Sequence, residues 1–146
     1  MTVTDPTRIA FVCVQNAGRS QMAYAFARRA LDGREFDSDF EILTGGTRPA
    51  GQIHPEVIDA MEEIGIDVSE RTPSEISIEE LRECDYVITM GCSDSDVCPA
   101  GWAGENRKWD LEDPDGRSRE TVAEIRDEIE RRVTDLFEEL ETRTAG

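Results

Sequence analysis

One stretch of this chain brings a nucleophile and an anion receptor together. It reads Cys13-Val14-Gln15-Asn16-Ala17-Gly18-Arg19-Ser20, with five residues between the cysteine and the arginine. A loop of this length that turns into a helix start can point successive backbone N–H groups at one tetrahedral oxyanion. Arg19 adds a planar fork that grips two oxygens. The same positive field favours the thiolate form of Cys13, the form that attacks. Ser20 carries a hydroxyl that can donate to the sulfur. Val14, Gln15, Asn16, Ala17, Gly18, Arg19 and Ser20 are thus expected to bind the oxyanion, with Cys13 as the nucleophile. A buried cysteine followed by an unrelated arginine would look the same in isolation, so the flanking elements give the pattern its weight.

Those elements are legible. Ile9 to Val14 is a short apolar, β-rich run, read as a buried strand. Ser20 can cap a helix whose apolar stripe is Ala23, Phe26, Ala27, Ala30 and Leu31, with Gly33 as the stop. Phe40 to Leu43 reads as a second strand ending at Gly45-Gly46. Pro55 suits the first turn of a helix carrying Val57, Ile58, Met61 and Ile64, closed by Gly65, and Ile66 with Val68 suggests a short extended piece. Two capping-box patterns follow, Thr72 with Glu75 and Ser77 with Glu80, the second opening a brief helix through Leu81. Tyr86 to Met90 is a third strand, Gly91 to about Arg107 a loop, and Lys108-Trp109 a short fourth strand. Leu111 to Arg117 reads as another loop. Ser118 is placed to cap a last helix with Val122, Ile125, Ile129, Val133, Leu136, Phe137 and Leu140 on one face. Alternating strands and helices predict an α/β fold: one domain over 1–146, a four-stranded parallel sheet with helices on both faces, and frayed tails at 1–7 and 142–146. In such sheets the ligand sits beyond the carboxyl ends of the strands, where Cys13, Cys92 and Asp113 all fall.

Residue for residue, the 13–20 segment resembles the phosphate-binding loop of the low-molecular-weight protein tyrosine phosphatases and of the arsenate reductases that share their fold. Gly46-Thr47-Arg48, His54-Pro55, Gly65-Ile66-Asp67, Thr89-Met90-Gly91-Cys92 and Trp109-Asp110-Leu111-Glu112-Asp113-Pro114 extend the likeness from about Arg8 to Leu140. The resemblance implies that Asp113, in its Asp-Pro pair, is the general acid that protonates a leaving oxygen; Asp110 and Asp115 are its rivals. It also implies a relay through Cys92 and Cys98, in a glycine- and serine-rich loop expected to be mobile. In thioredoxin-linked arsenate reductases such a pair carries oxidation away from the nucleophile. The pattern departs from those relatives in places. Five residues separate Cys92 from Cys98 where many relatives have six, and Gly18 stands where many have a second loop cysteine. Tyr24 replaces an acidic residue found near a potassium site, so no such ion is expected. The reductant is therefore thioredoxin or a low-molecular-weight thiol or glutaredoxin-type system, since the Met-Gly-Cys wording also resembles actinobacterial relatives that use a small thiol.

Composition narrows the partners. The 33 acidic and 16 basic residues give a net charge of −17, which opposes a nucleic-acid backbone or an anionic membrane as partner. Lys108 is the only lysine, and acid excess with depleted lysine suggests a high-salt cytoplasm, where the Debye length falls to ~3 Å near 1 M salt. The first seven residues lack the pattern of a signal peptide, and no apolar run approaches a spanning length. The four cysteines are then reduced by default, and Cys84, at a strand start, reads as a small buried apolar residue. One histidine (His54) with two loop thiols does not complete a zinc site, so neither metal nor cofactor is expected. The expected function is thiol-dependent arsenate reduction. Its rivals are a phosphatase acting on phosphomonoesters through phosphocysteine, and a non-catalytic oxyanion-binding module.

Overall fold

The computed structural model describes residues 7–13, 16, 18–31, 40–46, 49–90, 105–109, 111 and 116–145. Four parallel strands form one sheet: β1 (Thr7–Cys13), β2 (Phe40–Gly46), β3 (Tyr86–Met90) and β4 (Glu105–Lys108), in the order β2-β1-β3-β4. The helices are α1 (Arg19–Leu31), α2 (Pro55–Glu62), α3 (Ile78–Arg82) and α4 (Arg119–Ala145). β1 is central, so its side chains are buried alternately on both faces. Ile9, Phe11 and Cys13 join the larger core with α1, α2 and α4, while Ala10 and Val12 meet Ile76, Leu81, Cys84 and Val87 on the other face. This is why β1 reads as an unbroken apolar run rather than an alternating one.

The larger layer is held by aliphatic stripes and two polar pins. Phe40 packs edge-on against Phe137 at 5.4 Å, joining β2 to α4. Arg126 of α4 is buried beside α2, where its guanidinium donates to Ala60 O (2.8 Å) and pairs with Glu63 (2.9 Å). Arg29 of α1 pairs with Glu130 of α4 at the surface.

Several boundaries differ from the sequence expectation, each for a physical reason. β1 begins at Thr7, inside the expected tail, because Thr7 pairs with Phe40 of β2. Val14, expected to end the strand, lies outside the described residues, as does Gly33. β2 runs on through Gly45-Gly46, which pair with Val12 and Cys13. Ile66 and Val68 form no strand, the chain there being turn and irregular backbone. The fourth strand is Glu105–Lys108 rather than Lys108-Trp109; it joins the edge of the sheet by pairing with Tyr86–Thr89, so neighbouring backbone overrides a polar sequence. Trp109 follows it and is buried, its ring 5.9 Å from Phe11.

Ser77 and Glu80 form the expected capping box of α3, with reciprocal bonds of 3.1 and 3.2 Å. Thr72 and Glu75 cap no helix, because Glu75 instead bridges Gly46 as an extended strap beside β2. Ser118 caps α4 by accepting the Thr121 N–H at 3.2 Å. That helix continues to Ala145, so the segment expected to fray from 142 is helical up to that residue. No helix among the described residues is long and apolar enough to cross a membrane.

Candidate active site

Cys13 closes β1 between Gly46 of β2 and Met90 of β3, at the carboxyl edge of the sheet. From there the chain turns into α1, whose first intrahelical bond runs from Met22 N–H to Gly18 O (3.0 Å). The positive end of α1 is thereby placed at the cysteine. The sulfur is buried and lies 2.8 Å from Ser20 Oγ, and Asn16 N–H donates to it at 3.2 Å. Both groups can bind a sulfur that carries negative charge, as the sequence suggested for Ser20.

Asn16 organises the loop. It holds a left-handed backbone (φ 52°), a conformation asparagine tolerates better than most residues. Its side chain is fully buried and makes four bonds. Nδ2 donates to Ser20 Oγ (2.8 Å) and to Thr44 Oγ1 (3.0 Å), while Oδ1 accepts from Gln21 Nε2 (3.0 Å) and from Ser74 N–H (3.0 Å). The backbone donor at Ser74 fixes which end of the amide is oxygen. Ser20 Oγ accepts from Asn16 and keeps its own proton, which it donates to Cys13 Sγ when the sulfur is a thiolate, since a thiolate can only accept. Thr44 Oγ1 in turn donates to Phe11 O at 2.9 Å, tying the loop to the strands beside it.

The strap that supplies Ser74 reaches this position because β2 ends in glycines. Gly46 N–H donates to Ser74 O (2.9 Å) and Ile76 N–H to Gly46 O (3.4 Å). A Cβ on Gly45 would stand 2.5 Å from Ile76 Cβ, so only glycine allows this approach.

Arg19, at the start of α1, donates through Nη1 to Leu111 O at 3.0 Å. This links the loop to the segment two residues ahead of Asp113. The structure therefore brings together Cys13, Asn16, Gly18, Arg19 and Ser20. Val14, Gln15, Ala17, Cys92, Cys98, Asp113 and the rival acids Asp110 and Asp115 lie outside the described residues. Cys84 sits on the opposite face of the sheet, where burial pushes its thiol up to about 11, which suits the apolar role read from the sequence. Among the described residues no group of three or more His, Cys, Asp or Glu could hold a metal ion.

Sequence reading missed Gln21, Thr44, Ser74 and the Leu111 carbonyl. Their only local signal is polarity at positions that elements on either side should bury. Separations along the chain, 92 positions between Arg19 and Leu111 and 58 between Asn16 and Ser74, hide the cluster.

The family model for low molecular weight phosphotyrosine protein phosphatases matches residues 8–145. A Halobacterium salinarum protein, provisionally named an arsenate reductase, is 52% identical over 95% of this chain and 96% of its own length. A glutaredoxin arsenate reductase of Synechocystis is 34% identical over 89% and 95% of the two chains. The solved structure of a thioredoxin-dependent arsenate reductase from Corynebacterium glutamicum superposes with a TM-score of 0.77 at 34% identity, covering 97% of this chain and 65% of that one. With a matching loop at the end of a central parallel strand and a likeness along nearly the whole sequence, the chain belongs to the low-molecular-weight phosphotyrosine protein phosphatase family.

Proposed function

We propose that this chain is an arsenate reductase whose nucleophile is Cys13. One observation carries the reading: a buried cysteine sulfur bonded by Ser20 Oγ and Asn16 N–H at the mouth of α1, with Arg19 in the same turn. Cys13 thiolate attacks the arsenic, and Asp113 protonates the oxygen that leaves as water, giving a Cys13–arsenic bond. Cys92 thiolate then attacks Cys13 Sγ. The sulfur–arsenic bond breaks with its electron pair on arsenic, so arsenic(V) leaves as arsenite and a Cys13–Cys92 disulfide forms. Cys98 attacks Cys92, frees the Cys13 thiolate, and leaves a Cys92–Cys98 disulfide for an external dithiol. A thioredoxin system is one candidate reductant and a glutaredoxin with a small thiol is the other; relatives named for each support both. The acidic composition supports a high-salt cytoplasm as the working compartment.

The test is arsenite production from arsenate with excess thioredoxin system, comparing Cys13→Ser, Cys92→Ser and Cys98→Ser. Each variant should lose multiple turnover. Cys13→Ser and Cys92→Ser should lose the first turnover as well, because arsenite leaves only on attack by Cys92, whereas Cys98→Ser should release one arsenite per chain. Full multiple turnover by Cys92→Ser would sink the relay. The family match favours phosphomonoester hydrolysis as a second reading, because phosphate and arsenate are near-isosteres. Far faster cleavage of an aryl phosphate than reduction of arsenate would establish that reading instead.

A further inference from the structure

We propose that Arg71 is a positioning residue for Cys13, acting through Gln21, Asn16 and Ser20. Arg71 lies in the segment between α2 and α3 and is partly buried against α1. Its guanidinium carbon stands 4.1 Å from the centre of the Tyr24 ring, close enough for a cation–π contact. From there Nε donates to Gln21 Oε1 at 2.7 Å. Gln21 Nε2 donates to Asn16 Oδ1 at 3.0 Å, Asn16 Nδ2 to Ser20 Oγ at 2.8 Å, and Ser20 Oγ lies 2.8 Å from Cys13 Sγ. Gln21, Asn16 and Ser20 are fully buried, so no bulk water competes with these bonds.

The direction of the chain is what makes Arg71 more than a neighbour. A side-chain amide can sit either way round, and its hydrogen-bond partners decide which. At Gln21 two partners agree: the Arg71 guanidinium N–H can only donate, and Asn16 Oδ1, fixed by Ser74 N–H, can only accept. Gln21 must therefore present its oxygen to Arg71 and its NH₂ to Asn16. Asn16 is fixed the same way by the Ser74 N–H. Every donor in the series then points toward the sulfur, and each bond polarises the next in the same sense. The last proton in the series is the Ser20 hydroxyl, delivered to Cys13. Without Arg71 the Gln21 amide keeps no obligatory donor on its oxygen, and the ordered direction is held from Ser74 alone.

This inference rests on Cys13 being the nucleophile, but its test uses no arsenate, so it fails separately from the reductase reading. The measurement is the rate of iodoacetamide alkylation of Cys13 at pH 7 in the full chain, followed on the Cys13 peptide by mass spectrometry. Arg71→Met should slow it about three- to tenfold, in line with the modest coupling that such networks carry. Gln21→Met should slow it to a similar degree, and the double variant no more than the slower single one, since both break one series. Arg71→Lys, which keeps an obligatory donor for Gln21 but loses the planar geometry, should be slowed less than Arg71→Met. A residue that served stability alone would lower the unfolding midpoint and leave the alkylation rate of the folded protein unchanged. That result in Arg71→Met, or a double variant slowed by the product of the two single factors, overturns the proposal. Should Arg71→Met fail to fold, Arg71→Gln carries the same expectation and the same refutation.

Discussion

Asn16 offers a test in which stability and activity should rank the same variants differently. Removing its side chain leaves Gln21 Nε2 and Ser74 N–H without their acceptor; the buried Gln21 donor costs about 1–3 kcal/mol, and the Ser74 donor, on an exposed residue, costs less. Ser20 and Thr44 lose a donor, but their hydroxyls retain other partners. Water entering the vacated volume recovers part of the loss, so Asn16→Gly should cost about 1–3 kcal/mol. Asn16→Ala adds a Cβ that is disfavoured at φ 52°, for about 1 kcal/mol more. Asn16→Asp is the informative case. Its carboxylate still accepts from Gln21 and Ser74, so it should be more stable than either truncation. Its second oxygen, however, replaces a donor with an acceptor facing Ser20 Oγ. The Ser20 proton then turns to the introduced carboxylate and leaves the Cys13 sulfur, and a negative charge stands beside the oxyanion site. Loss of one hydrogen bond to a charged sulfur, about 1.5–3 kcal/mol, corresponds to roughly 10- to 100-fold in rate. Urea unfolding at constant m-value should rank the variants Asp over Gly over Ala, while first-turnover arsenate reduction should place Asp lowest. An Asn16→Asp protein that reacts faster than Asn16→Ala, or an Asn16→Gly protein within about 0.5 kcal/mol of the unsubstituted chain, would refute the assigned bond directions.

Three other outcomes are expected. Gly45→Ala drives a Cβ into Ile76 and should destabilise the fold by about 1–3 kcal/mol; because the strap also carries Ser74, the variant should lose arsenate turnover, and equal stability by urea unfolding would contradict the close approach. The Cys84 thiol is raised by burial to about 11, so its protonated form is favoured by folding, and that stability is present below the ordinary thiol range and lost as pH rises toward 11; Cys84→Ala should flatten the unfolding midpoint between about pH 9 and 11, where the unsubstituted chain falls. Potassium chloride should raise arsenate turnover or leave it unchanged, because screening weakens the repulsion of an anion by a chain of net charge −17; a steep monotonic loss would contradict this.

How far the sequence could be read depended on where the determinants lie. β1 and α1 are specified by their own residues, an apolar run buried on both faces and then an apolar stripe. Ser20, however, does not cap α1 as expected: the helix begins at Arg19, and the Ser20 hydroxyl is taken up by Asn16 and Cys13. The Ser77–Glu80 box is equally local and forms as written. Thr72 and Glu75 have the same spacing but yield no cap, because Gly46 offers Ser74 and Ile76 a pair of backbone bonds that a helix would forgo. That competitor lies in another element, far along the chain, and is invisible to a local pattern. β4 is the converse case. Glu-Asn-Arg-Lys has little strand character, yet an open edge on β3 supplies the partners. The candidate site divides in the same way. Cys13, Arg19 and Ser20 were legible because one short loop holds them, whereas Gln21, Thr44, Arg71 and Ser74 matter only through Asn16.

The long-range charge of the chain and the local chemistry at Cys13 are of opposite sign, and the structure separates them by distance and by type of group. The described acidic residues are mostly exposed, where salt near 1 M confines their influence to about 3 Å. The groups around the sulfur are amides, hydroxyls and backbone N–H donors, neutral in total and bonded at 2.8–3.2 Å. Fixed dipoles at that range are buried from mobile ions, so salt that screens the surface does not screen them. Two cations that join this neutral network, Arg19 to Leu111 and Arg71 to Gln21, are both arginines, whose planar donors hold a direction that a lysine ammonium would not. Among the described residues, the bonds to Cys13 Sγ, Ser20 Oγ and the Asn16 side chain come from amide, hydroxyl and backbone groups and none from a carboxylate, so screening of the exposed charges leaves them in place.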